Sequence, residues 1–96
     1  MMIVVTYDVD TTTTSGERRL RNVAKECVNY GQRVQNSVFE CLIDETHFII
    51  LRNKIEKIID FQLDSVRFYI LGRNFEKHII CIGKKTSFDL DSSLII

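Results

Sequence analysis

The sequence predicts a small α+β domain, with two helices laid on one face of a sheet. Three observations carry this. The chain has 96 residues, enough for one hydrophobic core and no more. Its apolar residues change period along the chain, recurring every second residue in some stretches and every third or fourth in others. The changes fall at glycines and polar runs, the residues that end strands and helices. With 45 % hydrophobic and 27 % charged residues the composition excludes a disordered chain, and three cysteines are too few for a disulfide scaffold.

Residues 2 to 8, Met-Ile-Val-Val-Thr-Tyr-Asp, are rich in β-branched side chains and apolar at consecutive positions until Thr6. A strand covered on both faces has this pattern, which places it centrally in the sheet. After Asp8 come four threonines (Thr11 to Thr14), Ser15 and Gly16, a loop by composition. Thr14 and Glu17 stand at the spacing of a capping box, in which each side chain satisfies a backbone N–H that the helix start leaves bare. A helix is expected from there, with Leu20, Val23, Ala24, Cys27 and Val28 as its inner stripe and Gly31 closing it. Arg18, Arg21 and Lys25 share an arc away from that stripe.

The segment 33 to 43 returns to a period near two, with Val34 and Val38 on one face and Phe39, Cys41 and Ile43 on the other. It is long for one strand, so it reads as a single bent strand or as two. Asp44 is placed to N-cap a second helix whose inner stripe is Phe48, Leu51, Ile55, Ile58 and Ile59. Ser65 to Leu71 alternates as a strand, with Val66, Phe68 and Ile70 on one side and Gly72 at its end. Residues 77 to 82, Lys-His-Ile-Ile-Cys-Ile, add a further short strand. Beyond Gly83-Lys84-Lys85 a polar tail ends in Leu94-Ile95-Ile96, an apolar tip without a local core, suited to pairing with a sheet edge of another chain. With 33 to 43 taken as two strands, the order is the ferredoxin-like βαββαβ with an extra C-terminal strand. Residues 1 to 96 then form one domain, of which 84 to 96 are a tail reaching the partner protomer. Helices on one face leave the other bare, and a face-to-face homodimer is the physical default for covering it.

Basic and acidic residues number 13 each, so affinity for nucleic acid must come from a local patch. Residues 17 to 33 supply one: Arg18, Arg19, Arg21, Lys25 and Arg33 stand against Glu17 and Glu26. Guanidinium forks suit phosphate oxygens, although a solvated helix face has the same pattern, and Arg73 with Lys84-Lys85 extends either reading. Cys27, Cys41 and Cys81 lack metal-type spacing and fall in apolar patterns, so all three are expected reduced and buried. No run approaches the roughly 18 apolar residues of a membrane span and no leader pattern opens the chain, which predicts a cytoplasmic protein away from membranes. There is no Gly-rich phosphate loop, no Cys-x-x-Cys and no His-Glu-x-x-His, while His47 and His78 fall in different elements and are expected at the surface.

Asp8 stands out as a carboxylate at the end of a central strand. As a turn residue it would solvate or cap backbone. As a ligand it would meet its own copy across a dimer axis. Two carboxylates plus water suit a hard cation such as Mg²⁺, which acidifies bound water and stabilises charge on a phosphodiester. The residues alone leave both readings open.

Four segments follow one another in a known order: Val5-Thr6-Tyr7-Asp8-Val9, Arg19-Leu20-Arg21-Asn22-Val23-Ala24-Lys25, Tyr30 to Cys41 with its Gly-x-Arg-Val-Gln-x-Ser-Val-Phe-Glu run, and Asp64-Ser65-Val66-Arg67-Phe68-Tyr69. Together they resemble the small CRISPR-associated endonucleases that partner the spacer integrase, and the tail with Phe88-Asp89-Leu90-Asp91 is similar to that of the type I-C branch. The resemblance implies a ferredoxin-like homodimer whose C-terminal strand crosses to the partner's sheet, giving Leu94 to Ile96 an edge. It implies that Asp8 coordinates Mg²⁺ at the dimer interface and is needed for cleavage. Tyr7, Arg19, Arg21, Arg33 and Phe39 match positions that contribute to nuclease activity or its site, and Ser37 matches a polar position near the metal. The implied activity is cleavage of single-stranded RNA or of duplex DNA during spacer acquisition, with duplex DNA favoured by analogy to the type I-C branch. The implied alternative is a non-catalytic DNA-binding dimer that bridges integrase dimers.

Overall fold

A computed structural model describes residues 1–72 and 77–84. Among them β1 (Met2–Asp8), α1 (Thr14–Val28), β2 (Gln32–Gln35), β3 (Val38–Leu42), α2 (Glu45–Ile58), β4 (Ser65–Leu71) and β5 (Lys77–Gly83) follow in order. This is the ferredoxin-like βαββαβ order with a further strand. The strands form one sheet, β2-β3-β1-β4-β5, in which every neighbouring pair is antiparallel.

β1 takes the central place that its apolar run predicts. Val5 lies opposite Phe39 of β3 on one side and Phe68 of β4 on the other, and all three are fully buried. α2 closes over this row edge-on, with the Phe48 and Phe68 rings 5.4 Å apart and Leu51 and Ile55 buried beneath it. α1 adds Val23 and Cys27, both without exposed surface. The segment 33 to 43 is two strands, joined by a turn at Asn36 and Ser37, with the register slipping between Arg33 and Gln35.

Several local expectations need correction. The cap of α1 is Thr13, whose Oγ1 accepts the Gly16 N–H at 3.1 Å; with Gly16 at the third helical position the reciprocal Thr14/Glu17 box does not form. Any of the consecutive threonines could supply the hydroxyl, and packing of the first turn selects the earlier one. Val28, expected in the core, is 60 % exposed because α1 ends there, at the margin of the sheet. α1 caps at Asn29, and Gly31 helps to close it, its N–H donating to the Cys27 carbonyl at 2.9 Å; a Cβ at Gly31 would lie 2.4 Å from the Glu40 carbonyl oxygen, so the residue also permits a close pass over β3. Cys81 is exposed rather than buried, because it alternates onto the face away from the helices, opposite Arg67. Cys27 and Cys41 are buried as expected.

The run Met2, Val4 and Thr6 is half-buried rather than covered, since among the described residues no helix lies on that face of the sheet. Met2 stands there opposite Leu42 and Leu71, Val4 opposite Glu40 and Tyr69, Thr6 opposite Val38 and Arg67. Leu42 is 76 % exposed. Arg73, Lys85 and the tail through Leu94 to Ile96, with its expected crossing strand, lie outside the described residues, as does the side chain of His78. No helix among the described residues is long and apolar enough to cross a membrane.

Candidate functional site

The site is built where β1 ends. The ladder between β1 and β3 runs one step past its last paired residues, because the Tyr7 N–H donates to the Ser37 carbonyl at 3.1 Å. Tyr7 faces the helices with Ile3 and Val5, and its hydroxyl donates to the Asn36 carbonyl at 3.3 Å. Its ring stacks on Phe39 with centroids 6.2 Å apart, and the Arg33 guanidinium carbon lies 5.1 Å from the Phe39 centroid. Such a cation over an aromatic face is held by the ring quadrupole and has fewer rotamers open to it. Tyr7, Arg33, Ser37 and Phe39 are therefore neighbours, drawn together by the β2–β3 hairpin. Burial pushes the Tyr7 phenol above its usual value, with Arg33 partly opposing, so the hydroxyl stays protonated at neutral pH.

Asp8 departs from that cluster. Strand alternation puts it with Met2, Val4 and Thr6 on the uncovered side, exposed and opposite Ser65 of β4. Among the described residues no hydrogen bond or ion pair holds its carboxylate. Nor do those residues bring three or more His, Cys, Asp or Glu side chains together, so Asp8 is not part of a ready-made cluster of ligands among them. That donor fits a cation satisfied by one or two carboxylates and water.

Of the basic residues, Arg18, Arg21 and Lys25 are exposed on α1. Arg21, Lys25 and Arg33 line a groove between α1 and β2 made of two adjoining pockets. One, of about 530 Å³, is bounded by Ala24, Lys25, Val28, Asn29 and Arg33. The other, of about 340 Å³, is bounded by Leu20, Arg21, Ala24, Arg33, Asn36 and Ser37. The rim is basic or amide and the floor apolar.

Arg19 turns inward instead. Its Nε donates to Oδ2 of Asp64 at 2.7 Å and its Nη2 to Oδ1 at 3.3 Å. Asp64, the buried charged residue of the described core, also accepts the Asp10 N–H on Oδ1 at 3.0 Å and the Asp60 N–H on Oδ2 at 2.8 Å. Burial alone would raise the Asp64 carboxyl, but Arg19 and the two amides outweigh it and hold it below the usual range. Sequence reasoning passed over Asp64 and Asn36. An aspartate before a strand reads as a turn residue, and nothing local shows that α1 will deliver an arginine to it.

Two helices packed on one face of a five-stranded antiparallel sheet, with Asp8 at the end of the central strand on the face that no described helix covers and an arginine-lined groove on the other side, define a small ferredoxin-like α+β domain. The family model for CRISPR associated protein Cas2 matches residues 1–79, and the chain belongs to that family. It is 50 % identical over 95 residues, 99 % of both chains, to a CRISPR-associated endonuclease Cas2 of Halalkalibacterium halodurans. It is equally 50 % identical, over the whole of both chains, to a CRISPR-associated endoribonuclease Cas2 of Chlorobaculum tepidum. Among solved structures, Streptococcus pyogenes Cas2 superposes with a TM-score of 0.71 and 57 % identity, covering 77 % of this chain and 89 % of that one.

Proposed function

We propose that this chain is a CRISPR-associated nuclease that works as a homodimer, with Mg²⁺ held between the Asp8 carboxylates of the two copies, in spacer acquisition alongside the integrase. The observation that carries the reading is the position of Asp8, a carboxylate unengaged among the described residues, at the end of the central strand on the face that no described helix covers. A second copy laid on that face would cover Val4, Leu42 and Leu71, and would bring a second Asp8 toward the first. The ion would acidify a bound water and stabilise charge developing on the phosphodiester. Arg21, Lys25 and Arg33 are the phosphate-gripping groups, and Arg18 extends their arc. Phe39 holds Arg33 in place, and Tyr7, protonated, spends its O–H on the Asn36 carbonyl and serves as a positioning group rather than as a base. Ser37 lies at the junction, its carbonyl on Tyr7 and its flank on the groove.

The substrate is DNA or RNA; one relative is named an endonuclease, without a stated nucleic acid, and another an endoribonuclease. A second reading, a DNA-bridging scaffold without catalysis, is favoured by one feature. The basic groove lies on the helix side of β1 while Asp8 faces the other way, so binding is separable from the carboxylate. Cleavage of single-stranded RNA and duplex DNA by wild type and Asp8→Ala, with Mg²⁺ and with chelator, tests both. We expect Asp8→Ala to lose cleavage and keep its nucleic-acid affinity within about twofold. Full cleavage by a clean preparation of that variant refutes the ion role and leaves the scaffold.

A further inference from the structure

We infer that Arg19 and Asp64 act as one positioning unit for Asp8, fixing the backbone just beyond it, and that Arg19 is not a phosphate ligand. The inference rests on the reading of Asp8 as an ion ligand.

Both backbone groups of Asp10, two residues after Asp8, are held by this pair. Its N–H donates to Asp64 Oδ1 at 3.0 Å and its carbonyl accepts Arg19 Nη2 at 3.5 Å. On the other flank, Ser65 follows Asp64 directly in the chain and is the register partner of Asp8. Asp64 thus grips the chain after Asp8 with its side chain and sets the start of the strand beside Asp8 with its own backbone. The same carboxylate ties in Asp60 at 2.8 Å, and the Asp64 carbonyl accepts the Lys84 N–H at 2.6 Å, so the exit of β5 is gathered at the same point.

Two glycines show how closely the backbone packs here. A Cβ at Gly16 would stand 1.8 Å from the Asp10 carbonyl oxygen, and one at Gly83, whose φ is +94°, would stand 2.2 Å from the Asp64 carbonyl oxygen. The first turn of α1 and the end of β5 are therefore pressed against the two peptides that the ion pair joins. Asp8 itself has no partner among the described residues to orient it. Its direction is set by the backbone, and the backbone beyond it is set by Asp64 and Arg19.

Arg19 cannot serve phosphate in this arrangement without leaving Asp64. Its side chain is 14 % exposed, and its Nε and Nη2 are committed to a carboxylate with no exposed surface. Withdrawing the guanidinium would strand a buried charge, which is far costlier than the loss of an exposed pair. Arg18 and Arg21, its exposed neighbours, carry no such obligation.

The test uses Mn²⁺ as the probe, with its binding to the full-length protein measured by calorimetry without nucleic acid, beside amide hydrogen exchange over residues 8 to 12. Asp64→Asn keeps the shape and removes the charge. Arg19→Lys keeps a cation but cannot reach both Asp64 oxygens and the Asp10 carbonyl, and it serves if Asp64→Asn fails to fold. For either variant the expected result is roughly tenfold weaker Mn²⁺ binding, the range seen when outer-shell partners of metal ligands are removed. Exchange at the Asp10 amide should rise at least tenfold, with nucleic-acid affinity in chelator within about twofold of wild type. Wild-type Mn²⁺ affinity in the folded variants, where Asp8→Ala has lost it, overturns the positioning unit and spares the ion reading. Unchanged Mn²⁺ affinity in Asp8→Ala overturns the ion reading and this inference with it. A large loss of nucleic-acid affinity in Arg19→Lys with unchanged Mn²⁺ binding makes Arg19 a phosphate ligand after all.

Discussion

Replacing Gly16 with alanine sets two effects against each other, and the structure decides between them. In an exposed helix interior the change gains about 1 kcal/mol from propensity alone, and less in a first turn. Here the added methyl would stand 1.8 Å from the Asp10 carbonyl oxygen, 2.9 Å from its carbonyl carbon and 3.2 Å from the Thr11 Cα. Backbone surrounds it, so no flexible side chain can swing aside. Opening the nearest contact to an ordinary van der Waals distance means parting α1 from residues 10 and 11 by roughly 1.5 Å. Where residues 10 and 11 yield, the Asp10 N–H, now 3.0 Å from Asp64, lies beyond hydrogen-bonding range; where α1 yields, Arg19 is drawn off the Asp10 carbonyl that it now reaches at 3.5 Å. Losing a bond to a charged acceptor costs about 1.5–3 kcal/mol, and strain adds to it. Gly16→Ala is therefore expected to destabilise the fold by roughly 1–3 kcal/mol, read as a lower urea midpoint at unchanged slope, or as a fall in Tm of about 4–8 °C per kcal/mol. A midpoint equal to or above that of wild type would refute the packing argument and leave propensity in charge.

Three other outcomes are expected. The Asp64 carboxyl is held below its ordinary value in the fold, so its stabilisation is complete above the unfolded value near pH 4 and disappears as pH falls through the folded one. The stability gap between wild type and Asp64→Asn should accordingly be constant from about pH 5 to 7 and narrow below pH 4 in acid titrations of urea midpoints; a gap that widens in acid would contradict it. Burial pushes the Cys27 thiol up to about 12, so in native protein at pH 8 it should resist iodoacetamide until denaturant is added, as mass spectrometry of the modified peptides would report. Arg33→Met keeps an apolar stem on Phe39 while removing the charge. Stability should change by less than about 1 kcal/mol, while the salt dependence of nucleic-acid binding should lose roughly one unit of slope; an unchanged slope would take Arg33 out of the interface.

Much of the architecture was legible because it rests on local patterns. The double-sided apolar run of β1, the Asp44 cap and the Phe48, Leu51, Ile55 stripe of α2 each encode their element in a few neighbouring residues, and each stands where it was expected. The misplaced cap of α1 has the opposite origin. Four successive threonines offer equivalent hydroxyls, and the contact of Gly16 with Asp10 selects among them. In the same way Cys81 has the apolar neighbours of a core residue, and its exposure follows from which side of the sheet the helices occupy.

By itself the sequence determined the order of elements, the central place of β1 and the residue types available for binding phosphate and a hard cation, because periodicity and turn chemistry act over a few residues. Tertiary structure alone decided which arginine of the patch is engaged. Arg18, Arg19 and Arg21 all count toward one basic patch in the sequence, yet among the described residues only Arg19 of the three meets a buried carboxylate, delivered from 45 positions further along the chain. It likewise decided that Tyr7 and Asp8, adjacent in sequence, serve opposite faces of the sheet. A strand sends consecutive side chains to opposite sides, and only the packing of the helices says which side is covered.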